Sequence, residues 1–435
     1  MVRAFGRVLT LVALLPAGAP ADPVDAACED GAPRLCLLAD GEASSALVVL
    51  TLPVGSADER PGEHGVAHYL EHLLYGNRTA EGDAVGGGID RWGNAYTDTR
   101  ATAYHWEVPP DRLNDALARA LEVLAPFDVP AEVARREREI VLREREERIA
   151  GPHDRLFEAA IAALYEGTPL ARTVIGRPDE IASLGLDDAR AFHERHYRAA
   201  GATLVVAGDV APRAVRAEVE RLAAGLDPGG PRPDPPALDL APRPPQALRI
   251  QDGFGAIERS MDLVARTEAG PAALAVLDAW LASSLPGAPG PVLVRGRDDL
   301  SGFEAGVWEV EPGWAALGAT ATLRPGREAA ALDAPWAAWK ALLAGLGRDG
   351  LDEATVERLR ARILRSVEGD REDAVAAAWD LVGWIQAGSD LSAWHAYPDA
   401  LDAVSAADIR ALLDALARPA RVLTIDAVPG PRATE

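Results

Sequence analysis

Residues 64–75 read His64-Gly65-Val66-Ala67-His68-Tyr69-Leu70-Glu71-His72-Leu73-Leu74-Tyr75. Apolar Val66, Tyr69, Leu70, Leu73 and Leu74 recur at helical spacing, which predicts a helix with one face in a core. Residues four apart share a helix face, so His68 and His72 can present two imidazoles to one cation. Glu71, three residues after His68, projects from nearly the same face without having to be a ligand. Zinc lowers the pKa of water from about 15.7 toward ~7, and a carboxylate beside it can take the proton as a carbonyl is attacked. His64 is also four residues from His68, but Gly65, Val66 and Ala67 between them offer no base, and Gly65 weakens a helix there. His64 reads as the helix entrance.

A catalytic zinc needs a third protein donor and a fourth position left open. The run Glu132 to Arg148 supplies six glutamates on a predicted helix. At about 100° per residue, Val133, Glu137, Ile140, Val141 and Glu144 fall on one stripe, while Glu132, Glu139 and Glu146 point away. A carboxylate on an apolar stripe is costly unless something pairs with it. Glu137 and Glu144 are the two that require a partner, and a metal is one.

The rest of the chain sets the frame. Its 435 residues suit two domains, and a net charge of −23 argues against a nucleic-acid partner. Residues 1–21 read as an export signal: Arg3 and Arg7, the apolar run Val8 to Leu15, then Ala19-Pro20-Ala21 before a cleavage point. That run is too short for a stable membrane span. Cys28 and Cys36, the only two cysteines, flank a turn-rich stretch and lack C-x-x-C spacing, so an exported chain would join them as a structural disulfide. The expected destination is the periplasm.

Residues 225–246 hold eight prolines and can propagate neither helix nor sheet. They divide the chain into residues 22–224 and 247–435, each an α+β unit. Asp188-Ala189-Arg190-Ala191 opens a helical pattern that leads to a strand at Thr203–Ala207; Asp408-Ile409-Arg410-Ala411 does the same before Arg421–Ile425, 220 residues later (408 against 188). This order predicts a duplication. Seven of the eight histidines lie in the first half. A fixed shift of 220 carries His68–His72 onto residues 288–292, a Pro- and Gly-rich stretch expected neither to bind zinc nor to form a helix.

With these residues the chain resembles the pitrilysin and insulysin family of inverted-motif zinc peptidases, which includes the mitochondrial processing peptidases. The pattern H-x-x-E-H stands as His68-Tyr69-Leu70-Glu71-His72, and the downstream glutamate falls within Glu137 to Glu144. The resemblance implies His68, His72 and Glu144 as ligands of one Zn2+, Glu71 as the catalytic base and Glu137 as the acid behind the ligands. It also implies that Gly93-Asn94-Ala95-Tyr96-Thr97 is an edge strand, with Asn94 and Ala95 contacting a peptide added as a further strand. Tyr197-Arg198 and Gly208-Asp209-Val210 resemble the close of the family's first domain.

The second half matches more loosely. Arg297 stands where the family has a substrate-binding Arg, but Phe303 or Glu304 occupies the place of the Tyr expected seven residues later. By resemblance the fold is a pair of homologous α/β-sandwich domains, each a sheet with helices on one side, facing each other as a clamshell. The expected partners are peptide substrates and a second homologous subunit, in a homodimer or a heterodimer. The rival expectation is a non-catalytic scaffold or partner subunit. The run Gly86-Gly87-Gly88 lacks the G-K that a phosphate loop requires and reads as a flexible loop.

Overall fold

In a computed structural model of the chain, residues 24–75, 88–230 and 240–430 are described. The expected leader, Gly86, Gly87 and the middle of the proline strap lie outside these residues.

The first half supplies strands β1 (Ala26–Glu29), β2 (Arg34–Ala39), β3 (Ala46–Leu52), β4 (Gly93–Thr97), β5 (Thr102–Val108) and β6 (Thr203–Gly208). Its helices are α1 (Val66–Tyr75), α2 (Leu113–Glu122), α3 (Ala131–Arg148), α4 (Pro152–Leu164), α5 (Pro178–Ser183), α6 (Leu186–His196) and α7 (Pro212–Ala223). The second half supplies β7 (Gln246–Asp252), β8 (Glu258–Arg266), β9 (Leu300–Glu311), β10 (Trp314–Leu323) and β11 (Arg421–Pro429). Its helices are α8 (Pro271–Leu281), α9 (Pro289–Val294), α10 (Asp333–Asp349), α11 (Glu353–Asp370), α12 (Ala374–Gln386), α13 (Leu391–Asp402) and α14 (Ala406–Leu416).

The two sheets share one topology. The first runs β1-β2-β6-β3-β5-β4 and the second β7-β11-β8-β10-β9. In each, one parallel pair (β2 with β6, β7 with β11) adjoins antiparallel pairs in the same sequence order. β1 is an extra edge strand, and Cys28 lies opposite Cys36 in the β1–β2 pairing with their sulfurs bonded.

The helices repeat as well: α14 begins 220 residues after α6 (406 against 186). The offset is not constant, however. α8, which like α1 connects two strands that flank a third and pair antiparallel with it (β5 in the first sheet, β10 in the second), begins 205 residues after α1 (271 against 66). The stretch reached by a fixed shift of 220 therefore falls on α9 and the turn before it. Contrary to expectation those residues do form a short helix, because Pro289 and Pro291 sit in its first turn, where a missing N–H costs nothing. The true counterpart of α1 reads Pro-Ala-Ala-Leu-Ala-Val-Leu-Asp-Ala-Trp-Leu and carries no histidine.

Each sheet packs its own helices on one face, and the other face is covered chiefly by one helix from the opposite half. Ala374, Ala377, Ala378, Leu381 and Val382 of α12 lie on Leu38, Leu47, Val49, Val205 and Ala207 of the first sheet. In return, Leu156, Ala160, Ile161 and Leu164 of α4 lie on Val264, Ala316, Leu423 and Ile425 of the second. This explains the unbroken apolar runs of β3 and β6, every residue of which is buried, since both faces are dry. Polar contacts cross the same seam: Arg155 forks onto Asp252 at 2.7 and 2.9 Å, and Arg421 donates to the carbonyls of Leu164 and Glu166 at 3.0 and 3.1 Å.

Among the described residues no helix is long and apolar enough to cross a membrane.

Leu381 is fully buried against the sheet of the other half. Leu381→Ala is expected to cost ~2–5 kcal/mol. Because the halves share that contact, urea unfolding followed by circular dichroism and by tryptophan fluorescence should shift together as one transition.

Candidate active site

α1 enters the core through a tight crossing of two backbones. Gly65 (φ +93°) touches Gly176 (φ +80°), and a Cβ on Gly176 would stand 3.0 Å from the Gly65 Cα, so both positions require glycine. From there Val66, Ala67, Tyr69, Leu70, Leu73 and Leu74 are buried in the first core. The Tyr69 hydroxyl donates to the Ala134 carbonyl at 2.8 Å, which ties α1 to α3.

α3 buries Val133, Ala134, Glu137, Val141 and Arg145. The stripe therefore includes Arg145, which pairs with Glu158 of α4 at 2.6 Å, while Ile140 and Glu144 are half-buried at its edge.

The two helices bring the expected residues together. Glu144 Oε2 lies 3.2 Å from His72 Nε2 and 3.7 Å from His68 Nε2. One donor atom from each of these three residues falls within 4.8 Å of the others. Glu137 Oε2 is 3.7 Å from the other nitrogen of His72, Nδ1. His72 thus offers Nε2 to the shared point while a carboxylate holds its far side, the usual support for a metal-binding imidazole. His68 Nδ1 is buried with no hydrogen-bond partner, so packing within α1 sets that ring.

Glu71, 7% exposed, stands outside the three-donor group. Its Oε2 accepts a 2.7 Å hydrogen bond from the Thr97 hydroxyl of β4. Thr97 shares a strand face with Ala95, which packs into the core beneath α1, and this alternation aims the hydroxyl at Glu71.

Charge is concentrated here. Burial and the neighbouring His72 push His68 down to about 3. Burial alone would lower His72 too, but Glu137 and Glu144 outweigh it and lift it to about 9. The hydrogen bond to His72 draws Glu144 down to about 2, and Arg148 also pairs with it. Burial raises Glu71 against the opposing pull of Thr97. Three carboxylates around two imidazoles form a set that favours a cation. Two nitrogen donors and one oxygen donor with an open side match a catalytic zinc.

β4 is the free edge of its sheet, beside this group. Asn94 is exposed, and its Oδ1 accepts from the Ala95 N–H at 2.9 Å; Ala95 buries its methyl, leaving its backbone at the edge. The second half braces this strand: Gln386 of α12 donates to the Tyr96 hydroxyl at 2.8 Å, and Arg100, in the turn after β4, pairs with Glu311 of β9 at 2.5 Å. Arg297 lies between α9 and β9, its guanidinium forked onto Asp299 at 2.9 and 2.8 Å. None of its contacts among the described residues reaches the histidines.

Residues 34–178 match the family model for the insulinase peptidases (family M16), and residues 183–287 match that for the M16 inactive domain. The chain belongs to the M16 family. It is 34% identical over 366 residues to the coenzyme PQQ synthesis protein F of Pseudomonas aeruginosa, covering 76% of this chain and 45% of that protein. It is 30% identical over 194 residues to an uncharacterized zinc protease of Rickettsia bellii, covering 43% of this chain and 46% of the relative. A probable mitochondrial-processing peptidase subunit beta of Schizosaccharomyces pombe is 28% identical over 190 residues, covering 43% and 42%.

The chain thus spans a little under half the length of these relatives. Among solved structures, a protease from Helicobacter pylori superposes with a TM-score of 0.79 at 19% identity, covering 94% of this chain and all of that one. The first half of the periplasmic protease PqqL from Escherichia coli superposes at 0.75 and 17% identity, covering 96% and 93%. These two share the fold.

Sequence reasoning missed how Thr97, Arg148 and Glu59 act at this site. The spacing of Thr97 from Ala95 carries a signal for the first; Glu59, whose carboxylate accepts from the first turn of α1, lies too far upstream to look like a cap.

Tyr69→Phe removes the bond to Ala134 and leaves a buried carbonyl unpaired, at a cost of ~1–3 kcal/mol. Urea denaturation should register that loss with the far-ultraviolet spectrum unchanged.

Proposed function

We propose that this M16 chain is a zinc endopeptidase whose ligands are His68, His72 and Glu144 and whose general base is Glu71. The observation that carries this reading is the placement of Glu71: a buried carboxylate, oriented by Thr97, beside a three-donor group that does not include it. Zinc, when bound, supplies a Lewis acid that polarises a carbonyl and makes water acidic enough to lose a proton near neutral pH.

The protein's own groups do the rest. The free edge of β4 takes the peptide as an added strand, with Asn94 and the Ala95 backbone as first contacts. Glu71 removes the proton from the attacking water and returns it to the leaving nitrogen, and Glu137 holds the His72 ring. The names of the zinc protease and processing-peptidase relatives support peptide substrates, and the second half, whose α8 has no histidine, serves as a non-catalytic wall.

Two further parts of the reading concern assembly and location. The two halves of one chain are interlocked by α4 and α12, so closure around a peptide takes a second subunit, in a homodimer or beside a homologous chain. The disulfide at Cys28 and Cys36 supports export, with the periplasm as destination.

A non-catalytic partner subunit is the second reading, favoured by the match to the M16 inactive-domain model. The full set of donor residues in the first half weighs against it.

Purified protein is expected to carry about one zinc per chain and to cleave a quenched peptide library. Glu71→Gln should keep the zinc and lose ~10²–10⁴-fold in kcat. Full activity in that variant would remove Glu71 as the base, and zinc-free wild-type protein would favour the partner-subunit reading. Thr97→Val strips a hydrogen bond from a charged group, and kcat/KM should fall ~10–100-fold with zinc content retained.

A further inference from the structure

The second half is an internal control for the first, and among their differences two fall at one place in the fold. Between β3 and α1 the chain takes residues 53–65, against 267–270 between β8 and α8. Between α4 and α5 it takes residues 165–177, against 387–390 between α12 and α13. The two longer connections meet at the N-terminus of α1, where Gly65 and Gly176 cross and Ile175 and Ile181 pack. At the matching end of α8 there is an open hollow of about 870 Å³, flanked by Thr267, Gly270 and Ala273 on one side and by Asp408 and Leu412 on the other. Only the half with the histidines has this collar.

Inside the collar sits Glu59, its side chain 3% exposed. Its Oε2 accepts from the Gly65 N–H and its Oε1 from the Ala67 N–H, each at 3.0 Å. Gly65, the residue before α1, has no side chain with which to cap the helix; the Val66 N–H is taken by the Glu63 carbonyl at 2.9 Å, and the N–H groups of Gly65 and Ala67 on either side of it depend on Glu59, six residues upstream of Gly65. His64 Nδ1 lies 3.5 Å from the same carboxylate. Accepting two N–H groups with two oxygens suits an ionised carboxylate at the positive end of a helix, whereas a glutamine amide offers one acceptor only. The Ala67 N–H that Glu59 holds belongs to the residue immediately before His68.

We propose that Glu59 is the positioning residue of the metal-binding helix: a buried carboxylate that clamps the first turn of α1 and so sets the rotation and height at which His68 and His72 meet Glu144. One residue of slippage turns a helix by about 100°, and metal sites degrade on displacements of about 0.5 Å. The inference rests on the zinc reading above and assigns a role to a residue outside the H-x-x-E-H segment.

The test uses the full chain with Glu59→Gln, and with Glu59→Asp, which keeps the charge but shortens the reach, in case the glutamine variant does not fold. Zinc affinity is measured by competition with a chromogenic chelator, coordination by the visible spectrum of the cobalt-substituted protein, and stability by urea unfolding of the metal-stripped protein. In either variant, zinc affinity should fall about 10–100-fold and the cobalt bands should shift. For a peptide substrate the loss should appear in kcat with KM within about twofold. A variant that is less stable when metal-free but keeps its zinc affinity and cobalt spectrum would overturn the proposal while leaving the zinc reading intact. Wild-type protein that takes up no zinc would overturn both.

Discussion

A carboxylate on the buried face of a helix must be neutralised, and the helix pair α1 and α3 is organised around that requirement. Glu137 and Glu144 lie one above the other on α3, facing the two imidazoles of α1. Arg136 and Arg148 of α3 itself pair with these carboxylates, and the imidazoles of α1 satisfy the oxygens that face inward, where an unpaired charge is costly. Paired, the carboxylates hold one imidazole from both sides and leave a common point between three donors. The apolar residues of α1 and α3 fix the distance between the helices, and Tyr69 fixes their relative rotation. The chemistry proposed for Glu71 depends on this geometry, since the base must stand beside the donors without joining them.

Duplication accounts for the remaining architecture, and divergence accounts for its asymmetry. Strand order and helix order repeat, yet the second copy fills the position of α1 with an alanine- and leucine-rich helix. The free edge of the second sheet is also modified: Asp278 of α8 accepts from the Val307 N–H of β9, occupying a donor that an added strand would need. On β4 the Ala95 N–H is held only by the adjacent Asn94 side chain and not by a packed helix, and the strand's outer side is braced by Gln386. In the proposed reading one copy is the site and the other its support.

Much of this was legible in the sequence where composition and spacing coincide. The helix at α1, the strand at β6 and the break near the proline strap all announce themselves through periodicity, apolar content or proline content. The stripe on α3 singled out Glu137 and Glu144 but could not divide their roles, because both lie on it; only the distances to Nδ1 and Nε2 of His72 do so. Arg145 escaped notice because a charged residue on such a stripe is legible only once its partner Glu158 is known. The fixed shift of 220 failed because the halves differ by the lengths of their connections, which a shared tetrapeptide pattern cannot reveal. That α12 covers the sheet of the other half was equally hidden: an alanine-rich apolar helix indicates burial and not the surface it is buried against.

The exchange of α4 and α12 also governs the order in which the molecule can be built. The outer face of the first sheet is covered by residues 374–386, more than 160 positions beyond the end of β6 at residue 208. An emerging chain therefore holds a bare apolar sheet until nearly all of it has been synthesised, and contacts of such long sequence separation close slowly. Neither half is a finished folding unit, and the exposed surface is a natural target for holding chaperones and for misassembly with neighbouring chains. For a polypeptide exported before it folds, as proposed above for this chain, that delay is useful: the lock engages only when both halves are on the same side.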